Sequence, residues 1–173
     1  KLKGYTYEVI AVDGGSRDET VQIAKNMGAI AIHQTRRGYG DALRTGMNYA
    51  TANFDTKAIV FMDADGTYDP KDIPILAEPI LEGNADLVTG NRLVPMNEGT
   101  MRMVNKIGNM LISLIMRISF GLNVKDACSG MKALRSDLVE RLSLEVEDWP
   151  LMTEILAKAW WLGARIEETP ILY

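Results

Sequence analysis

Residues 58–70 read AIVFMDADGTYDP, and this stretch decides the fold class. Its apolar run, 58–62, has the length and β-branched content of a buried strand. The run ends in two carboxylates one residue apart, Asp63 and Asp65, whose burial is costly unless a cation compensates their charge. Because Mg²⁺ prefers carboxylate oxygens, the pattern predicts a metal or ligand site. A plain turn built from Asp and Gly is the alternative.

Strand-like and helix-like segments alternate on both sides of this stretch. The predicted strands are 7–12, 29–34, 58–62, 87–90, 131–134 and 165–171. The predicted helices are 18–27, 41–52, 70–81, 103–122, 136–142 and 151–162. This alternation predicts an α/β fold with a mostly parallel central sheet and helices on both faces. A chain of 173 residues fits one domain, 1–173.

Polar and glycine residues follow four of the predicted strands. Asp13 ends the first strand, the Arg37–Gly38 turn follows the second, Asp63 ends the third and Arg92 follows the fourth. In parallel sheets, ligands bind beyond the carboxyl ends of the strands. The sequence therefore predicts one site at this edge, built from several loops.

Composition excludes several classes of site. The single cysteine, Cys128, excludes an internal disulfide and a multi-cysteine zinc site, and a single histidine, His33, argues against a Ser-His-Asp triad. Net charge is −4, yet residues 92–141 carry 8 basic and 4 acidic groups, which predicts an anionic ligand or surface near that segment. Nucleic acid is a poor candidate partner because the whole chain is acidic.

Segment 103–122 has apolar residues at helical spacing, interrupted by Lys106, Asn109 and Arg117. This pattern predicts an amphipathic helix, which either packs on a core or lies on a membrane surface.

Two turns suit a phosphate-bearing ligand. In VDGGSRDET, residues 12–20, Asp13 can accept hydrogen bonds from a base or ribose, and free N–H groups at the following helix start, near Ser16, favour an anion. The spacing matches neither the dinucleotide fingerprint nor the P-loop. In RRGYGDALRTG, residues 36–46, Arg37 and Gly38 allow either a solvated turn or a close backbone approach to a nucleotide sugar.

The ordered set VDGGSRDET, RRGYGDALRTG, FMDADGTYDP, GNRL and DACSGMKALR resembles family 2 glycosyltransferases of the A-type fold. Within that family it is most similar to the dolichyl-phosphate mannose synthase and polyprenyl-phosphate glucosyltransferase branch. The resemblance implies a Rossmann-like GT-A architecture, with a nucleotide-sugar-binding half at 1–91 and an acceptor-binding half at 92–173. It also implies a sheet truncated at its N-terminal strand, since nothing in residues 1–6 matches the family's first motif.

The resemblance implies roles for individual residues. Asp65 would be the main ligand of Mg²⁺ or Mn²⁺ on the donor diphosphate, and Asp63 would contact metal or ribose. Arg92 would face the donor sugar or phosphate, and Asp126 would act as a base or orient the acceptor. The other implied donor-binding residues are Asp13, Ser16, Arg37, Gly38 and Ala64. The implied acceptor-phosphate residues are Arg102, Lys106, Ser129 and Lys132. Glu154 matches a recurrent acid without an assigned role.

The resemblance also implies partners and a location. The donor would be GDP-mannose or UDP-glucose, and the acceptor a polyprenyl or dolichyl phosphate at a membrane surface. The chain would work on the cytoplasmic face of that membrane, held peripherally or by a segment outside residues 1–173. Such an acceptor is already ionised and needs little or no general base.

Two alternatives stay open at this point. The missing first motif, and Gly14 where many members have a second Asp, favour a non-catalytic nucleotide-sugar-binding fragment. The run DADGT also fits a haloacid-dehalogenase-type phosphatase with Asp63 as the nucleophile, although that family places the motif on its first strand.

Overall fold

The computed structural model describes residues 6–94 and 101–173. Residues 1–5, which carry most of the segment that lacks the family's first motif, lie outside the described part. The described residues form six strands: β1 Ile10–Asp13, β2 Ile30–His33, β3 Ala58–Phe61, β4 Leu87–Asn91, β5 Lys132–Arg135 and β6 Ile166–Pro170. In the same part of the chain there are six α-helices: α1 Thr20–Asn26, α2 Tyr39–Asn53, α3 Ile73–Leu81, α4 Met103–Phe120, α5 Ser136–Leu142 and α6 Leu151–Trp161. A 3-10 turn, Pro70–Asp72, precedes α3.

The strands form two sheets within the described residues. β1 and β2 pair in parallel, and the other four strands lie in the order β3-β5-β4-β6. In the larger sheet β5 runs antiparallel to β3 and β4, whereas β4 and β6 are parallel. The α/β class is confirmed, and the reversed β5 is the one departure from a common direction in that sheet. Helix α2 packs against both β1 and β3, so it links the two sheets.

The larger sheet is covered on both faces, as predicted. Leu87 and Leu134 contribute to one hydrophobic cluster, which includes residues of α2, α4, α5 and α6. Val88 follows Leu87 in β4, and Ala133 precedes Leu134 in β5. Both contribute to a second cluster, on the other face, with residues of α3. This alternation is the two-residue period of a strand. Both faces of the larger sheet are buried, so polar side chains that this sheet positions can reach solvent only at the strand ends. The candidate site lies there.

Candidate active site

Asp13 ends β1 and organises the turn that follows it. Its carboxylate accepts hydrogen bonds from the backbone N–H groups of Gly15 at 3.0 Å and Ser16 at 3.1 Å, and Nδ1 of His33 lies 3.1 Å away. Hydrogen bonds from Ser16 and Gly15 hold the pKa of Asp13 at about 2. Asp13 also lines a cavity of about 280 Å³, which Arg37 borders from the next loop. The ionised carboxylate of Asp13, which accepts hydrogen bonds, and the cationic side chain of Arg37 therefore border the same cavity. The first suits a ribose hydroxyl and the second suits a phosphate.

The glycine turn before α2 makes a close backbone approach, but to protein. Gly38 has φ 110°, and a Cβ there would lie 2.3 Å from the carbonyl oxygen of Glu147. The N–H of Gly40 donates to the same oxygen at 2.9 Å. Segment 143–150 therefore lies directly on this turn. Glu154 fixes that segment, since its carboxylate accepts from the N–H groups of Glu145 and Val146 at 2.9 and 3.0 Å.

Asp63 and Asp65 follow β3, with the exposed Ala64 between them. Asp63 is half-buried, and this burial raises the pKa of its carboxyl group above the usual value. Asp65 is exposed and accepts hydrogen bonds from the N–H and hydroxyl of Thr67 at 3.0 and 2.5 Å, which lower its pKa. One carboxylate is thus rigid and partly desolvated, and the other reaches solvent.

These two carboxylates fit a divalent cation shared with a ligand. Among residues 6–94 and 101–173, no group of three or more His, Cys, Asp or Glu side chains converges as a metal site. Mg²⁺ is commonly held by one or two carboxylates together with substrate phosphates and water, rather than by a full protein cage. The donor set of Asp63 and Asp65 therefore suits a metal that arrives with a diphosphate.

Arg92 and Asp126 form a buried ion pair behind this pair of acids. Asp126 has no exposed surface, and the Arg92 side chain is 10% exposed. Oδ2 of Asp126 accepts from Arg92 N and Nε at 2.9 and 2.8 Å, and Oδ1 accepts from Arg92 Nη2 at 2.8 Å and from Asn109 Nδ2 at 2.7 Å. Burial opposes ionisation, yet the bonds from Arg92 keep the pKa of Asp126 below its usual value. Both oxygens of Asp126 are thus occupied, three of the four bonds hold Arg92 in place, and this arrangement favours a positioning role for Asp126 over a role as a base.

Glu168, on β6, supports the ion pair from the other side. Its Oε1 accepts from the N–H groups of Lys125 and Asp126 at 2.8 Å each, and its Oε2 accepts from Asn91 Nδ2 at 3.0 Å. One carboxylate therefore joins the end of β4 to the loop that carries Asp126.

The expectation for Ser129 and Lys132 is not supported by the geometry. Both residues have no exposed surface. Nζ of Lys132 donates to Ser129 O at 2.6 Å and to Thr89 Oγ1 at 2.9 Å, and burial lowers the pKa of this ammonium group to about 8. Lys132 thus braces the loop from inside, and its ammonium group has no exposed surface through which to bind an acceptor phosphate.

Helix α4 packs through its polar side. Its buried residues are Asn109, Ser113 and Met116, and the Ser113 hydroxyl donates to Lys125 O at 2.9 Å. Lys106 lies three residues before Asn109, on the same side of the helix, and Arg102 immediately precedes the first residue of the helix.

Although Met116 and Phe120 of α4 pack in or against the hydrophobic core, the apolar side of this helix is exposed. We call this surface the α4 apolar face. Val104 is 79% exposed and Ile118 is 76% exposed. The face consists of Met103, Val104, Ile107, Met110, Leu111, Leu114, Ile115 and Ile118. None of the described helices is long and apolar enough to cross a membrane.

Sequence reasoning missed several residues that shape the site. Tyr39 donates to Asp63 Oδ1 at 2.7 Å, and the Tyr68 hydroxyl accepts from Gly130 N at 2.8 Å. Asn109 could have been found, because an amide inside an apolar helical stretch signals a buried polar partner. Glu168 carried no comparable signal, since it follows a second glutamate, Glu167, in a short strand and nothing in the sequence shows which of the two faces the loop of Asp126.

A second cavity, of about 430 Å³, lies between α3 and β6. Four of its lining residues are the acids Glu78, Glu82, Glu167 and Glu168. Such a lining repels a diphosphate, so the smaller cavity beside Asp13 is the better candidate for the donor.

Comparisons with known proteins identify the family. A family model described as glycosyl transferase family 2 matches residues 1–143. The dolichyl-phosphate hexose transferase of Haloferax volcanii is 34% identical over 166 residues, covering 96% of this chain and 69% of that protein. The UDP-N-acetylglucosamine–dolichyl-phosphate N-acetylglucosaminyltransferase of Methanococcus voltae is 31% identical over 192 residues, covering 98% and 76%.

Solved structures show the same fold. Glucosyl-3-phosphoglycerate synthase from Mycobacterium tuberculosis, in complex with Mn²⁺, UDP and glucosyl-3-phosphoglycerate, superposes with a TM-score of 0.72 at 24% identity. The match covers 95% of this chain and 58% of that one, so the chain spans less than two thirds of the solved protein. The family match overturns the phosphatase alternative for Asp63.

Proposed function

The chain belongs to glycosyl transferase family 2, and from this premise we propose that it moves a hexose from a nucleotide-diphospho-sugar to a polyprenyl phosphate. GDP-mannose and UDP-glucose are the donors proposed. The observation that carries the proposal is the placement of Asp63 and Asp65 at the end of β3, beside an Arg92 held by Asp126.

The donor would bind across the strand ends. Asp13 would accept hydrogen bonds from the nucleoside, with Ser16, Arg37 and Gly38 in the adjoining turns. Asp63 and Asp65, with Ala64 between them, would hold Mg²⁺ or Mn²⁺ on the diphosphate. When bound, this cation supplies positive charge that stabilises the leaving diphosphate. Arg92 adds a fixed cation, since its ion pair with Asp126 raises the pKa of the guanidinium above its usual value despite burial.

The acceptor side explains why no base is needed from Asp126. A phosphate monoester oxygen is ionised at neutral pH and can attack the sugar carbon without losing a proton first. Arg102 and Lys106 would hold this phosphate electrostatically from the N-terminal end of α4. This arrangement agrees with an Asp126 whose two oxygens already accept four hydrogen bonds.

A lipid acceptor requires the enzyme to work at a membrane surface, and the α4 apolar face suits that position. Helix α4 carries Lys106 and Arg117 and no acid, which matches an anionic bilayer surface. Phe120, at the end of α4, packs edge-on to Trp160, and the neighbouring Trp161 is 78% exposed. Tryptophan is favoured at the boundary between lipid and water. We propose a peripheral position on the cytoplasmic leaflet.

Transfer of radiolabelled sugar to a polyprenyl phosphate in detergent, with Mn²⁺ present, tests the reaction. We expect product from GDP-mannose or UDP-glucose, and a loss of about 100-fold in rate for Asp65→Asn. Asn keeps the bond to the Thr67 N–H but removes the charge. Asp55→Asn, an exposed acid before β3, is the matched control. Donor binding without any transfer would instead support the non-catalytic fragment.

Co-sedimentation with phosphatidylglycerol and phosphatidylcholine vesicles tests the membrane surface. Leu111→Glu is expected to release the protein from anionic vesicles, since Leu111 is 57% exposed and its replacement leaves the core intact. Asn105→Glu adds the same charge to an exposed position outside the apolar face. Once the repulsion due to that charge is allowed for, this variant should bind the vesicles within about twofold of the wild type. Equal binding by the wild type and Leu111→Glu would contradict this orientation.

A further inference from the structure

One oxygen of Asp63 is held by a phenol. The Tyr39 hydroxyl donates to Oδ1 of Asp63 at 2.7 Å, whereas Oδ2 accepts no hydrogen bond among the described residues. On the Oδ2 side, a Cβ built on Gly130 would lie 2.7 Å from this oxygen and 3.2 Å from the Tyr39 hydroxyl. The phenol thus holds one oxygen of Asp63, and the absence of a side chain on Gly130 leaves room beside the other.

Tyr39 is itself held by a stacked indole. The rings of Tyr39 and Trp149 lie 4.2 Å apart between centroids with an interplanar angle of 10°. Trp149 belongs to segment 143–150, which Gly40 fixes through its bond to Glu147 O at 2.9 Å. Stacked aromatic pairs are more stable than their buried area alone explains. The position of the Tyr39 hydroxyl is thus set from both the helix and the segment.

We propose that Tyr39 is a positioning residue for the divalent cation and that Trp149 keeps it in place. This inference rests on the proposed function of Asp63. By occupying Oδ1, the phenol fixes the rotation of the carboxylate and presents Oδ2 as the oxygen for the metal. Segment 143–150 becomes part of the metal site without supplying a ligand.

The expected size of the effect follows from the role of hydrogen bonds to metal ligands. Removing such a partner typically weakens metal binding about 10- to 100-fold. Tyr39→Phe deletes only the hydroxyl and keeps the ring stacked on Trp149. We therefore expect Mn²⁺ to bind at least about 10-fold more weakly to this variant. The fold should be retained, because the ring itself supplies the packing.

Titration of free Mn²⁺ by electron paramagnetic resonance measures this affinity without turnover, with Mn²⁺ alone and with Mn²⁺ plus UDP. The matched control is Tyr49→Phe, on the same helix, whose ring packs against Phe54 instead. Wild-type affinity in Tyr49→Phe and weakened affinity in Tyr39→Phe support the proposal. Equal affinity in all three proteins overturns it and leaves the proposed function standing. No Mn²⁺ binding by the wild type, even with UDP, overturns both.

A second readout follows the indole. In a Trp160→Phe, Trp161→Phe background, Trp149 is the only tryptophan, since the chain has three. Mg²⁺ with UDP should change the emission of Trp149, and adding Tyr39→Phe should raise the Mg²⁺ concentration at which that change is half complete by at least about 10-fold. Trp149→Phe, which preserves a stacking ring, should keep Mn²⁺ affinity, whereas Trp149→Ala should lower it. Equal Mn²⁺ affinity in Trp149→Phe and Trp149→Ala would overturn the role of the stack.

Discussion

Replacing Asp126 by Asn should damage stability more than any single contact suggests. Each oxygen of Asp126 accepts two hydrogen bonds, three of the four from Arg92. Asn has one carbonyl oxygen, and an NH₂ group replaces the second oxygen of Asp126. The two donors that bonded to that second oxygen therefore lose their acceptor and face the N–H groups of the amide. The guanidinium of Arg92, whose side chain is 10% exposed, also loses its counter-charge.

The magnitude follows from the burial of the pair. Removing one partner of a buried ion pair costs about 3–5 kcal/mol, because the other charge stays buried and unpaired. For a protein of this size, each 1 kcal/mol corresponds to roughly 2–4 °C in Tm. Asp126→Asn should therefore lower Tm by about 6–20 °C.

Urea unfolding followed by circular dichroism gives the free energy directly. Asp137→Asn is the control, since Asp137 pairs with Arg135 at the surface and is 55% exposed. That variant should lose less than about 1 kcal/mol. A stable Asp126→Asn protein, within about 1 kcal/mol of the wild type yet inactive, would refute this reasoning and restore Asp126 as a base.

Three further outcomes are expected. Gly130→Ala places a methyl group 2.7 Å from Asp63 Oδ2 and should lower the free energy of unfolding by about 1–3 kcal/mol. The same variant should bind Mn²⁺ more weakly when Mn²⁺ is titrated by electron paramagnetic resonance. Asp86→Asn should cost about 1–2 kcal/mol at pH 7, because hydrogen bonds from Arg165 hold the pKa of Asp86 at about 2. Since this contribution is lost as pH falls from about 4 through 2, urea melts should show the difference roughly halved at pH 3. Glu168→Gln removes the charge behind Asp126 and should lower Tm by a few degrees, whereas the exposed neighbour in Glu167→Gln should leave it unchanged.

The strand ends could be predicted from sequence because they follow from local pattern. The apolar run before Asp63 and the polar residue after each predicted strand locate Asp13, Asp63 and Arg92 at strand ends, but they did not indicate that β1 belongs to a separate sheet from β3 and β4. The direction of β5 could not be predicted, since a short apolar strand carries no sign of parallel or antiparallel pairing. The burial of Lys132 could not be predicted either. Its ammonium group is buried because the loop before β5 turns its carbonyl groups inward.

Helix α4 shows a different limit. Its period identified an apolar side and a polar side, but the period does not say which side packs. The polar side is buried because Asn109 donates a hydrogen bond to the carboxylate of Asp126 and Ser113 donates one to the carbonyl oxygen of Lys125. An apolar face left outside is the reverse of the usual arrangement, and this reversal gives the helix its proposed role at a membrane.

The most direct test of the central claim is calorimetric binding of UDP-glucose and GDP-mannose with and without Mn²⁺. The wild type and Asp55→Asn should bind one donor at least about 10-fold more tightly with Mn²⁺, and Asp65→Asn should lose that gain. Equal affinity with and without Mn²⁺, or an unchanged gain in Asp65→Asn, would contradict the assignment of Asp63 and Asp65 as the metal-binding pair.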